Sequence, residues 1–158
     1  LKAMVPPADV AAVTSEYFHI RIWAAPFTLL GYTITGVLFG LARVRTIALA
    51  LPDADEKVSH GRPAFFTTKV FAYYGGSLKV DGAWVQHPQS VMVLPDPDDR
   101  AALVDDPRVF VPAYLGPSGW LGVDLDLARS DWDEVAELLD ASYRHTAGAR
   151  RVARLDGR

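Results

Sequence analysis

His19, His60, His87 and His145 are the only imidazoles in the chain, and no cysteine accompanies them. No two of these histidines fall at a spacing that brings two ring nitrogens to one metal ion. The missing thiols exclude disulfides, thiol catalysis, thiolate zinc sites and iron–sulfur clusters. The expectation is therefore a protein with no metal and no cofactor. Ser59-His60 sets a hydroxyl beside a base. In an extended segment neighbouring side chains point to opposite faces, so the two are expected not to meet. Asp124 and Asp126 share one parity on a segment that reads as a strand, with Trp120 and Gly122 on the same parity. That face is either a polar functional surface or the solvated side of a half-buried strand. No Gly-x-Ser-x-Gly elbow, phosphate loop or dinucleotide-binding glycine pattern occurs. A non-enzymatic protein is expected. The enzymatic alternative would use His60 as acid or base beside Arg62 and Asp124.

A second group of residues suits binding rather than catalysis. His60, Arg62, Lys69 and Lys79 lie on or between successive extended segments, interleaved with Phe65, Phe66, Tyr73, Tyr74 and Trp84. Cations among aromatic rings suit phosphate and base contact. They equally suit sheet strands with an aromatic core and an exposed cationic rim. The arginines near the C-terminus, Arg150 and Arg151 among them, could add phosphate contacts or form a solvated, frayed terminus. A ligand surface would instead draw on His60, Trp84, Tyr114 and Trp120 together with the loop 107–119.

These groups sit in a chain of 158 residues, half of them hydrophobic and 22% charged, with a net charge of −3. Such a chain is not disordered throughout and is long enough to bury one core. The charge is uneven. Residues 44–143 hold eight Lys and Arg against sixteen Asp and Glu, a net −8, whereas residues 144–158 hold five Arg against Asp156 alone, a net +4. A globally basic nucleic-acid binder is excluded, and any DNA contact must come from a local patch.

The elements that must position these residues follow from periodicity. Val44, Ile47, Ala48 and Leu51 recur at helical spacing before Pro52, which predicts a helix over about 41–51. Lys57 to His60 reads as extended, and Gly61-Arg62-Pro63 as a turn. The stretches 64–67 and 69–74 read as strands, with a turn at Gly75-Gly76. Leu78 and Val80 alternate with charged residues, Asp81-Gly82 marks a hairpin, and 91–94 is a further short strand. Asp96 with Pro97 opens a short helix to about Val104. Residues 120–125 form a strand after the Gly116-Pro117-Ser118-Gly119 turn. Ser130 can cap a helix whose apolar stripe is Trp132, Val135, Ala136, Leu139 and Tyr143, with Gly148 at its end. Successive strands joined by tight turns imply an α+β fold: an antiparallel sheet with helices on one face.

The N-terminal forty residues stand apart. Ile22 to Ala42 are 21 residues without a formal charge, long enough to cross a membrane, although Pro26, Gly31, Thr28, Thr33 and Thr35 weaken the span. Three readings compete: a membrane anchor or uncleaved signal segment, an apolar extension packed on the domain or on a second copy, and an extension outside the functional unit. A first residue of Leu suits a fragment or an unusual start. The expected organisation is an apolar extension over 1–40, a single domain over 41–148 and a basic tail over 149–158.

Several stretches resemble the MmcQ/YjbR family of small bacterial proteins: 45–52 (Arg-Thr-Ile-Ala-Leu-Ala-Leu-Pro), 59–66 (Ser-His-Gly-Arg-Pro-Ala-Phe-Phe), 69–72, 114–116, 119–125 and 132–143. Their order and spacing, over roughly 44–152, carry the resemblance. It implies a two-layer α+β fold similar to frataxin-like and secretion-chaperone-like sheets. It also implies a cytoplasmic protein without a membrane span, and DNA binding through a double wing of hairpins. On that reading Arg62, Lys69, Lys79, Arg150 and Arg151 contact the phosphate backbone. The alternative is an adaptor that binds a protein or small ligand. The resemblance brings no catalytic residues. The first helix of the family opens with a polar cap, where this chain has Phe39-Gly40-Leu41-Ala42.

Overall fold

A computed structural model describes residues 8–125 and 130–157. The chain divides into two units, residues 1–36 and 37–158. Helix α1 (Ala8–Leu49) begins in the first unit and ends in the second. The helix expected from about residue 41 therefore starts more than thirty residues earlier and runs on through Pro26. Within the first unit the rings of Tyr17 and Phe18 meet edge to face at 6.5 Å. Thr35 Oγ1 donates to the Gly31 carbonyl at 2.8 Å, the back-bond that lets a helix carry threonine in its interior. Among the described residues no helix is long and apolar enough to cross a membrane.

The second unit carries the sheet. Six strands follow α1: β1 (Asp55–Ser59), β2 (Arg62–Phe66), β3 (Val70–Val80), β4 (Ala83–Val93), β5 (Val109–Phe110) and β6 (Leu121–Asp124). They are antiparallel throughout, in the order β1-β2-β3-β4-β6-β5. Helix α2 (Pro97–Leu103) links β4 to β5, and α3 (Trp132–Ala147) follows β6. The α+β expectation holds. Two local expectations do not. Gly75-Gly76 does not close a turn; it lies inside β3, where the β3–β4 register shifts between Tyr74 and Gly76. Gly75 takes a φ of +77° there, which a side chain would strain. The two-residue β5 has too few residues to show a period. The helix after β6 is capped by Asp131 rather than Ser130, its side chain accepting from the Asp133 amide at 2.9 Å.

Strand alternation divides the sheet into two faces. Ala72, Tyr74, Val91, Val93 and Val123 join Val44 and Ala48 of α1 and Val135, Leu139 and Tyr143 of α3 in one buried core. Phe71 meets Tyr143 edge to face at 5.5 Å. Two hydroxyls fix α3 on this layer. Tyr143 donates to the Pro52 carbonyl at 2.7 Å, and the fully buried Ser142 donates to the Phe71 carbonyl while accepting from the Leu94 amide at 2.9 Å. Tyr74, its phenol driven up to about 12 by burial, donates to the Val37 carbonyl at 3.0 Å.

The basic stretch expected as a frayed tail is helix α4 (Ala149–Asp156), entered through Gly148 at a φ of +83°. It is amphipathic enough to dock, and arginines tie it down. Arg151 and Arg154 both pair with Asp53, Arg151 at 3.2 Å. Arg151 also donates to the Thr68 hydroxyl at 3.1 Å, and Arg144 pairs with Asp156 at 2.7 Å.

Two predictions follow from these contacts. Ser142→Ala removes the partner of a buried carbonyl and of a part-buried amide and should cost about 2–3 kcal/mol, read as a lowered midpoint in denaturant unfolding. The Arg154 hydrogen bond, with Arg151 behind it, holds the Asp53 carboxyl below its ordinary value of 3.8. A carboxyl lowered in the folded state stabilises above the unfolded value and loses that effect as the pH falls through the lowered one. Protection of the α4 amides relative to their intrinsic exchange rates should therefore be greater at neutral pH than at about pH 2, and Asp53→Asn should lower it at neutral pH.

Candidate functional site

On the sheet face away from α3, Tyr73 and Met92 face each other as cross-strand partners between the core residues of β3 and β4. They form the floor of a cavity of about 500 Å³, walled by Trp84 and Gln86 of β4, Ser77 of β3, the β1–β2 turn and the segment 112–115. Lys79 pairs with Trp84 across the hairpin, its Nζ 6.0 Å from the ring centre. Trp84 stacks against Tyr114 with centroids 5.6 Å apart and planes 30° from parallel. Tyr114 is 81% exposed, so the outer face of this pair is open.

The segment that completes the wall is held at several points. Arg108 bonds Asp106 and reaches Glu134 of α3 at 2.7 Å, and those bonds raise the guanidinium far above its ordinary value. The Phe110 ring fills the space over Gly76 and Gly122: a Cβ on Gly122 would lie 2.2 Å from it, and one on Gly76 2.5 Å. These two glycines are needed for that close approach. Beyond Phe110, the Ala113 amide donates to the Ser77 carbonyl at 3.3 Å.

The chain turns at His60-Gly61, between β1 and β2, so His60 is not extended and the turn lies one residue earlier than Gly61-Arg62-Pro63. His60 takes a φ of +52° and Gly61 one of +74°. This rotation breaks the strand alternation and brings Ser59 Oγ to 3.1 Å from His60 Nδ1. The expectation that the two side chains would not meet is thus corrected. Both line the cavity. Arg62 extends its guanidinium across Gly75, where a Cβ would lie 3.2 Å from Nη1, and donates through Nη2 to the Gln86 amide oxygen at 3.1 Å.

The residues singled out from the sequence sort into three places. His60, Arg62, Trp84 and Tyr114 converge on the cavity, and Lys79 stands at its rim beside Trp84 and Tyr114. Trp120 is not a surface residue: at 8% exposure it packs behind Tyr73, with centroids 5.4 Å apart. Lys69, Arg150 and Arg151 belong elsewhere. Lys69 precedes β3 and Lys79 is its tenth residue, so they stand roughly 30 Å apart along an extended strand. Arg150 and Arg151 border a separate notch with Asp53 and Arg154. The five cations thus do not share one patch.

Asp124 does not reach His60. Both its oxygens lie 2.8 Å from His87 Nδ1. A carboxylate accepts, so Nδ1 carries the proton. The His87 ring stacks on Phe110 at 4.1 Å, and its Nε2 is buried without a partner. Asp126 lies outside the described residues. Among the described residues no three His, Asp or Glu side chains gather as a metal site. Gln86, Met92 and the His87–Phe110 pair escape the sequence reading, and Tyr73 stands in it only as one of the interleaved aromatics. Strand alternation could have found Tyr73 and Met92, whereas the others depend on the register shift and on the path of the loop.

The sequence profile of the YjbR family matches residues 49–145, from the end of α1 to the last turn of α3. No curated protein matches the chain. The match spans well over half of the residues and takes in every strand of the sheet, including those that wall the cavity, and the chain accordingly belongs to the YjbR family.

Proposed function

We propose that this YjbR-family chain is a non-enzymatic binding module whose cavity takes a small organic molecule with a flat ring. The cavity itself carries the reading. Its volume of about 500 Å³ falls within the range of small-molecule sites, and Tyr73, Trp84 and Tyr114 offer ring faces beside the thioether of Met92. A few polar groups, Ser59, His60, Arg62 and Gln86, would orient what enters. His60 bonds Ser59 but no carboxylate among the described residues, which leaves a hydroxyl and a base without a group to orient them. This supports binding over hydrolysis.

DNA binding through Arg62, Lys69, Lys79, Arg150 and Arg151 is the weaker reading. Phosphate contacts must follow one backbone track, whereas Arg62 lines the cavity and Arg150 and Arg151 border the separate notch beside Asp53. Arg151 is moreover committed to Asp53. A protein partner at the exposed Trp84 and Tyr114 would compete for the same rings.

One titration followed by NMR separates these readings. Added indole should shift the Trp84 indole N–H and the Met92 methyl, and Tyr114→Ala should weaken indole about tenfold, the upper range for a single ring contact. A short DNA duplex at low salt should leave the amides of Lys69, Arg150 and Arg151 in place. Absence of any shift with indole would overturn the proposal, and joint movement of those amides with Arg62 and Lys79 would establish the DNA reading.

A further inference from the structure

Resting on the cavity as a small-molecule site, we infer that its ligand is an organic anion: a flat ring bearing a carboxylate or a phosphate, held by Arg62. The argument is one of charge compensation. Arg45 is paired with Glu56, Arg108 with Asp106 and Glu134, Arg144 with Asp140 and Asp156, and Arg151 and Arg154 with Asp53. Arg62 differs from all of them. Its partner is the neutral amide oxygen of Gln86, and it bonds no carboxylate among the described residues. Arg43, Arg100 and Arg150 likewise form no ion pair among the described residues, but of these four arginines only Arg62 lines the cavity, where a charged ligand would supply the missing counter-charge.

The surroundings agree in sign. No Asp or Glu lines the cavity, and the second cation, Lys79, lies at the Trp84 side of its mouth. The Gln86 bond fixes one edge of the guanidinium plane, which leaves N–H groups of the fork for two oxygens of one anionic group. Ser59 and His60 stand on the same turn and can donate to a third oxygen. The ring would then lie along Trp84 and Tyr114, with its anionic end toward the 59–62 turn. A carboxylate and a phosphate present the same paired oxygens to a guanidinium, so the class is defined by that chemistry.

Calorimetric titration of the full chain with 2-naphthoate, 2-naphthyl phosphate and neutral 2-naphthol tests this at low salt. Both anions should bind at least tenfold more tightly than naphthol, consistent with a charge-assisted pair of hydrogen bonds. Arg62→Gln should bring the anions down to the naphthol level and leave naphthol unchanged, and Arg62→Lys should restore part of the preference. A stronger effect on the phosphate than on the carboxylate would assign the ligand to phosphates, and the reverse to carboxylates. If naphthol binds as tightly as the anions, or if Arg62→Gln lowers all three equally, the anion inference fails while the cavity reading stands. If none of the three binds, both fail.

Discussion

The second unit depends on the seam between α3 and the strands beneath it. Ser142 stands where the carbonyl of Phe71 and the amide of Leu94 would otherwise be left without partners, in a region closed to water. Burying such groups unpaired costs more than the hydrogen bonds contribute when made, so this one hydroxyl stabilises the packing of α3 on β3 and the end of β4. Tyr143, the next residue, extends the same seam to Pro52 just beyond α1 and sets its ring edge against Phe71. Helices and sheet are thereby held in register by two neighbouring side chains, with the aliphatic core of Val91, Val93, Val135 and Leu139 filling the space around them.

With one face sealed in this way, the opposite face is available for a site. What stands there is determined by two glycines and one ring. Gly76 and Gly122 leave no side chains where Phe110 lies down, and Phe110 in turn brings the following loop against β3. The cavity forms where that loop arches over Tyr73 and Met92. The pairing of β4 with β6, which sets Ser90 opposite Asp124, brings His87 and Asp124 together although they are far apart in the chain, and the His87 ring stacks on Phe110. The cavity is thus a consequence of backbone approach as much as of the residues that line it.

Electrostatics orders the exterior. In an acidic domain the arginines are used mainly as fasteners: Arg108 ties the loop to α3, and Arg151 and Arg154 tie α4 to Asp53. This is why a basic C-terminal stretch produces a docked helix. Each such pair is exposed and individually weak, but several of them fix segments that have little apolar surface of their own. Arg62, like Arg43, Arg100 and Arg150, stands outside this pattern, and it alone of these lines the cavity, bonded to a neutral amide.

Much of the fold is written in local chemistry. The period of two in β3 and β4, the Asp81-Gly82 hairpin and the period of 3.6 from Trp132 to Tyr143 depend only on residues close in sequence, and they suffice for an antiparallel sheet with helices on one face. His60, Arg62, Trp84 and Tyr114 could likewise be picked out as residues able to bind. Their convergence could not, because it depends on the bend at Gly75, the positive φ at His60 and the path of the loop after Phe110. For the same reason Trp120 passed for a surface residue, and Ser59 and His60 for side chains that could not meet. Local periodicity determines which face a residue takes within its own element. Which faces then come together is decided by contacts between residues far apart in the chain, and no window of sequence contains both partners.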